Sequence, residues 1–474
     1  MLALVTAGCS TPFPQAMKAD EWPKAYTAPT AAGTPVVLSA EWWKTFSSPE
    51  LTDLVVTAGK DNLDLAVYEA RVMQAQAQTG EAASTLFPNI GLNASAQRQG
   101  SKNPGTTHNN FGASLSASYQ VDFWGEAQDN LRAAHYSARA ALYAQDVGQL
   151  TVSADVADAY FLVLSLRERL AIANRNVDAA KRILAITQAK VTNGVSSNLE
   201  LAQQAAIVDG EEAQIPALEE QQREALYALA ILLGKVPEGF DVKADTLEGL
   251  VAPPVEPGLP SALLQRRPDI VQAEATLYSA HANLDAARAA FLPSVGLTGN
   301  GGYASTMLSN LINPSNFAWN IGASLLQAIF DGGRLTSQRD FAQAQETEMV
   351  ASYRKAVLSA LSDVETSLGS TTSLAERQRL TQLQVDNATE AFRISELQYR
   401  EGVVDLLTVL QAQQTLFSSQ DTLVQIKQAR LDAGVGLYLA LGGGWTVAAD
   451  ADKPTRNDFV PVPDLTDLPV GKLF

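Results

Sequence analysis

Asp64-Leu65-Ala66-Val67-Tyr68-Glu69-Ala70 and Asp269-Ile270-Val271-Gln272-Ala273-Glu274-Ala275 begin with the same aspartate and end with the same Glu-Ala pair, at an offset of 269 − 64 = 205. Repetition on this scale bears on the whole fold, because each copy is one structural unit. Phe87-Pro88 and Leu292-Pro293 keep the offset of 205. Further on it becomes 208, with Gly194-Val195 answered by Gly402-Val403 and Leu233-Gly234 by Leu441-Gly442, so one loop carries a short insertion. Val177, Ala180, Leu184 and Val191 are spaced as one stripe of an amphipathic helix, and Val385, Ala388, Phe392 and Tyr399 repeat it. One chain thus contains two copies of a single plan. We place the first at 51–250 and the second at 251–445, with a tail at 446–474.

Each copy reads as helix, two strands, very long helix, tight turn and returning helix. From Glu126 to Thr192 there is no proline and one glycine, Gly148; from Arg334 to Glu401 there is again no proline and only Gly369. At 1.5 Å per residue such a stretch reaches ~100 Å, and helices this long imply coiled-coil packing. Between them the pattern changes to period two. Ser114, Ser116, Ser118, Gln120 and Asp122 alternate with Leu115, Ala117, Tyr119, Val121 and Phe123. Trp319, Ile321, Ala323 and Leu325 alternate with Ala318, Asn320, Gly322 and Ser324. Such strands suit a membrane barrel with a wet lumen or a soluble antiparallel sheet. Strands are expected at Phe87–Gln97, Phe111–Phe123, Leu292–Tyr303 and Phe317–Phe330. Four strands cannot close around a lumen, and unpaired backbone edges cannot face lipid, so several chains must share the barrel. Three chains supply about twelve strands, an allowed even number.

Composition narrows the classes further. The 474 residues are 46% hydrophobic, enough for a large core, and the net charge of -17 opposes binding to nucleic acid or anionic headgroups. One cysteine excludes an intrachain disulfide, and His108, His135 and His281 are too scattered for a metal site; no cofactor is expected. Phosphate loops and convergent catalytic groups are absent from the sequence, which argues against an enzyme. No uninterrupted apolar run approaches the ~20 residues of a membrane-spanning helix. The lone Cys9 follows Leu4-Val5-Thr6-Ala7-Gly8, small residues after an apolar run, as at a cleavage site that leaves a lipid-bearing cysteine. Residues 1–9 then read as a signal and lipobox remnant, and 10–50, with Pro12, Pro14, Pro23, Pro29 and Pro35, as an extended tether. The plain alternative for Cys9 is a buried thiol.

Four motifs, in order, then point to one family. Leu264-Gln265-Arg266-Arg267-Pro268-Asp269-Ile270 starts the second half. Tyr119-Gln120-Val121-Asp122-Phe123-Trp124-Gly125 and Ile329-Phe330-Asp331-Gly332-Gly333-Arg334-Leu335 are strand-to-helix corners. Leu437-Tyr438-Leu439-Ala440-Leu441-Gly442-Gly443-Gly444-Trp445 closes the last helix. In these the chain resembles the outer-membrane efflux protein family of TolC/OprM-like outer membrane factors, in its lipoprotein branch of OprM- and NodT-like proteins. The glycines of the corners permit the sharp turn, Asp122 and Asp331 are placed to cap the following helix, and Arg267-Pro268-Asp269 is a helix-start device.

The resemblance implies an α+β membrane protein: a long α-helical coiled-coil barrel continuous with a transmembrane β-barrel shared by three chains. It would be the outer-membrane exit duct of a tripartite pump, with a periplasmic adaptor and an inner-membrane pump, of the RND type, as partners. Lipidated Cys9 would add an anchor in the outer membrane. Docking of the adaptor falls on the turns at the far ends of the long helices, at Gly194, Val195 and Ser196 and at Gly402, Val403, Val404 and Asp405, with the three valines exposed. The tunnel constriction falls on Leu407, Thr408 and Gln411. Where the family places an acidic ring this chain has Gln411, leaving Asp405 to supply charge near the tip. A type I protein-secretion duct shares the fold; the lipobox and Gly-Gly-Gly-Trp ending favour small-molecule efflux.

Overall fold

A computed structural model describes residues 23–28, 39–100, 108–252, 257–258 and 260–446. Cys9 and nearly all of the tail lie outside the described residues. The chain runs α1 (Pro49–Asp61), α2 (Leu63–Ser84), β1 (Asn89–Gln99), β2 (His108–Val121), α3 (Glu126–Thr192), α4 (Asn198–Leu232) and a short α5 (Leu263–Arg266). The second half adds α6 (Pro268–Ala289), β3 (Ser294–Ser305), β4 (Phe317–Leu326), α7 (Arg334–Arg400) and α8 (Leu406–Ala440). The duplication extends to length. Helices α3 and α7 both have 67 residues, and α4 and α8 both have 35.

Local signals set where these helices start and stop. At the two corners the backbone turns through Gly125 (φ 85°) and Gly333 (φ 89°), a left-handed conformation that only glycine adopts cheaply. The preceding aspartate then accepts the free N–H groups of the first turn. Asp122 takes those of Ala127 (3.2 Å) and Gln128 (2.9 Å), and Asp331 takes those of Gly333 (3.0 Å) and Leu335 (2.9 Å). Helix α6 begins with Pro268 in its first turn, as expected of a residue whose missing N–H would have no partner there. Arg267 does more than start that helix: it donates to Asp269 (2.7 Å), Asp363 on α7 (3.0 Å) and the Ala440 carbonyl at the end of α8 (3.2 Å), tying three helices.

The main core lies at mid-height, where α1, α3, α4, α7 and α8 converge. Trp42 and Phe46 are fully buried in it, and Trp42 stacks on Tyr438 with ring centroids 5.5 Å apart. The extended tether expected over 10–50 does not hold for its last residues, because Trp42–Phe46 forms a 3₁₀ helix packed between distant helices and Pro49 opens α1. The helical stripe is also shifted locally: Ile183 is fully buried while Leu184 is half-buried, since Ile183 and Thr187 point into the contact with α7. Within α3 one 18-residue window is apolar enough to cross a membrane by length and composition, with a mean hydropathy of 1.3, but 56% of it is buried inside the chain. It is the core stretch around Tyr160 and Phe161, whose apolarity serves packing.

The four strands form one antiparallel sheet in the order β1-β2-β3-β4. Their ends fall a few residues from the expected ones, and Phe123 lies beyond β2, in the corner, where its N–H bonds to the Val121 carbonyl.

Candidate functional site

Residues paired directly across an antiparallel sheet share a face. Ile90 pairs with Ala117, Ala117 with Gly299 and Gly299 with Ile321; Tyr119 pairs with Leu297 and Leu297 with Ala323. Val121, Val295 and Leu325 continue this apolar face. On the other side Gly91 pairs with Ser116, Ser116 with Asn300 and Asn300 with Asn320; Ser118, Thr298 and Gly322 form the next row. The sheet is thus apolar on one face and neutral-polar on the other, the division required of a barrel wall between lipid and water. Among the described residues the outer edges of β1 and β4 have no strand partner.

At the opposite end of the long helices the two turns are built alike. Gly194 (φ 72°) and Gly402 (φ 79°) end α3 and α7. The Val195 N–H reaches back to Lys190 O and that of Val403 to Gln398 O, both at 2.8 Å, which satisfies carbonyls left open at the helix end. Ser197 then caps α4 by accepting from Glu200 N (3.2 Å), and Asp405 caps α8 by accepting from Thr408 N (3.0 Å). Val195 and Val403 are 74% and 70% exposed, whereas Val404 is half-buried against the lower helix cluster, so it is not the third exposed valine expected. Ser196 is half-buried and bonds to Glu200.

Leu407 and Gln411 share one exposed face at the start of α8, with Leu407 58% exposed. Thr408 is also exposed, but its hydroxyl donates to Asp405 at 2.7 Å, so it serves the cap. That hydroxyl, followed by the Thr408 N–H, holds the Asp405 carboxyl below its ordinary pKa and keeps a negative charge at the tip. On the buried side of the same region, Ala179 and Ile183 of α3, Ala388, Phe392 and Tyr399 of α7, and Leu406, Val409, Leu416 and Phe417 of α8 form a small lower cluster.

Two features escape a reading of the sequence. Thr187 and Tyr399 meet hydroxyl to hydroxyl across this cluster at 3.1 Å; Tyr399 lies on the repeated stripe, but nothing local marks Thr187 as its partner. At mid-height Asp158 of α3 and Asp432 of α8 are each pushed up to about 7, chiefly by burial, with the Asp432 charge adding to the effect on Asp158. Among the described residues there is no cluster of three or more metal-ligating side chains.

A two-faced sheet joined end-on to helices of ~100 Å defines a membrane channel with a long helical extension. The profile of the outer membrane efflux protein family matches residues 54–235 and 259–443, and the chain belongs to that family. It is similar to the pyoverdine export outer membrane protein OpmQ of Pseudomonas aeruginosa, at 40% identity over 417 residues, 85% of this chain and 87% of that one. The cation efflux system protein CusC of Escherichia coli is 30% identical over 410 residues, 86% of this chain and 89% of the other. The solved open state of the Neisseria gonorrhoeae MtrE outer membrane channel superposes with a TM-score of 0.81 at 28% identity, covering 92% of this chain and 98% of that one.

The protein is an outer-membrane efflux channel, the exit component of a tripartite pump. Three chains share its transmembrane β-barrel, and the helices extend into the periplasm.

Proposed function

We propose that this duct releases siderophore-class chelators, pyoverdine-like in size and polarity, which are delivered through a periplasmic adaptor by an inner-membrane pump of the RND type. The observation that carries the cargo is the 40% identity to a pyoverdine exporter over most of both chains, against 30% for the cation-efflux relative. A wall lined by Ser116, Ser118, Asn300 and Asn320, polar but uncharged, suits a cargo that bears both charges and hydroxyls. Docking of the adaptor falls on the tips around Gly194, Val195 and Ser196 and around Gly402, Val403, Val404 and Asp405, where the exposed Val195 and Val403 offer apolar contact. The resting constriction falls on Leu407 and Gln411, with Thr408 bracing the turn through Asp405. Three copies of Leu407 around an axis exclude water by apolar packing, and the adaptor opens them only by binding the splayed form more tightly. Cys9 carries a lipid anchor that supplements the barrel.

The deciding experiment is secretion from a pyoverdine-producing strain stripped of its own outer-membrane exporters. Expression of this chain should move the siderophore from periplasm to medium, and Val195→Glu with Val403→Glu should abolish this with trimers intact. Periplasmic retention despite assembled wild-type trimers would refute the cargo.

A further inference from the structure

Gln413 lies on the buried face of α8, one turn after Val409 and one turn before Leu416 and Phe417, within the lower cluster formed by α3, α7 and α8. It is 1% exposed, and neither its Nε2 nor its Oε1 has a hydrogen-bond partner among the described residues. Both atoms are sealed within the single protomer, so a neighbouring chain in the trimer cannot reach them in this arrangement.

The other hairpin contains a useful contrast. Gln204 of α4 is 0% exposed and its Oε1 is also without a partner, but its Nε2 donates to the Ala180 carbonyl of α3 at 2.9 Å, stitching its own hairpin together. Gln413 occupies a place in the apolar stripe of α8 that Leu or Met would fill, and makes no bond in return. A buried amide without partners carries its full desolvation penalty for as long as the surrounding cluster stays dry. Separation of α7 and α8 from α3 at this height would admit water and lift that penalty.

We infer that Gln413 is a built-in destabiliser of the closed seam between the two hairpins, which holds the resting and open arrangements closer in energy than an apolar residue would. The device rests on the proposed reading that the adaptor opens the tips by binding their splayed form, and it assigns a role to a residue away from both the docking turns and the Leu407 ring.

The test compares Gln413→Leu, Gln413→Met and Gln204→Leu in the full trimer, by thermal melting in detergent and by single-channel recording. Either Gln413 variant should raise the melting temperature and cut the frequency of full openings about tenfold, the size expected from removing one orphaned amide. Gln204→Leu should lower the melting temperature, because it removes a made bond. Unchanged or lowered melting in both Gln413 variants, or higher melting with unaltered openings, would overturn the inference. Failure of both variants to assemble would overturn it too, by showing that the amide is needed. Leu407→Ser, recorded in parallel, separates the two readings: unchanged conductance there removes the Leu407 gate, while the Gln413 melting and opening data still stand.

Discussion

Lys190 and Tyr399 join the far ends of the two longest helices: the ammonium lies 4.2 Å from the centre of the Tyr399 ring, and Nζ also donates to the Tyr399 carbonyl. With the Thr187 hydroxyl on Tyr399 Oη, this makes a three-part clasp across the seam between α3 and α7. Tyr399→Phe should weaken the clasp by about 1 kcal/mol, the value of one buried hydroxyl pair. Lys190→Met should cost somewhat more, since a cation–π contact of roughly 0.5–1 kcal/mol goes with the hydrogen bond. Both should raise basal conductance in planar bilayers, and a double-mutant cycle should return a coupling between them. Additive effects would mean that the clasp does not act as a unit.

The sheet makes a residue-by-residue forecast. Ile321 and Asn320 are neighbours in β4 on opposite faces. Arginine at Ile321, on the lipid face, should cost roughly 2–4 kcal/mol near mid-bilayer, whereas Asn320→Arg should be tolerated and should alter ion selectivity. Refolding titrations into lipid measure the first effect and reversal potentials the second. Easy labelling of Ile321→Cys by a membrane-impermeant thiol reagent, with Asn320→Cys unreactive, would invert the assignment.

Among the described residues no cation is paired with Asp158 or Asp432, and each has one sealed oxygen without a partner. Burial raises both to about 7, well above an ordinary carboxyl, so the folded helices hold protons that the unfolded chain has released. The stability from this pair is fully present below about pH 4 and is lost as pH climbs through about 7. Melting of the trimer should therefore fall between pH 5 and pH 8, and Asp158→Asn or Asp432→Asn should flatten that fall. A slope that the amides leave unchanged would place the titrating group elsewhere.

Arg267 offers a test of stability at mid-height. Its side chain is 11% exposed and holds two carboxylates and a carbonyl. Arg267→Ala should destabilise by about 2 kcal/mol through its lost charge-assisted hydrogen bonds, since the carboxylates left behind are 35% and 48% exposed and rehydrate. Arg267→Lys should recover only part of this, since a single ammonium cannot reproduce the guanidinium fork. Denaturant unfolding of the detergent trimer reads both.

What the sequence made legible is what local chemistry enforces. The long helices could be bounded because Gly125, Gly333, Gly194 and Gly402 are the positions where the backbone takes positive φ, and because proline is absent between them. The faces of the sheet followed from period-two alternation. The hidden features all depend on partners far along the chain. Trp42 packs on Tyr438, Lys190 on Tyr399 and Asp158 beside Asp432, and none of these pairs leaves a mark within a window of sequence. Val404 misled for the same reason, since its burial comes from the neighbouring helices of the lower cluster and not from the turn that carries it.

The two open edges of the sheet bear on heredity as well as on architecture. Among the described residues of a lone chain the outer edges of β1 and β4 are unpaired, and four strands cannot complete a wall in hydrocarbon, so subunits must find one another no later than they insert. Every finished pore is then a mixture of whatever copies were being made together. A cell producing equal amounts of normal and assembly-competent but blocked subunits would retain roughly one fully normal pore in eight, by random choice of three. Alleles altered at the tips should therefore behave as dominant, whereas alleles that destroy strand pairing, whose products never join, should behave as recessive.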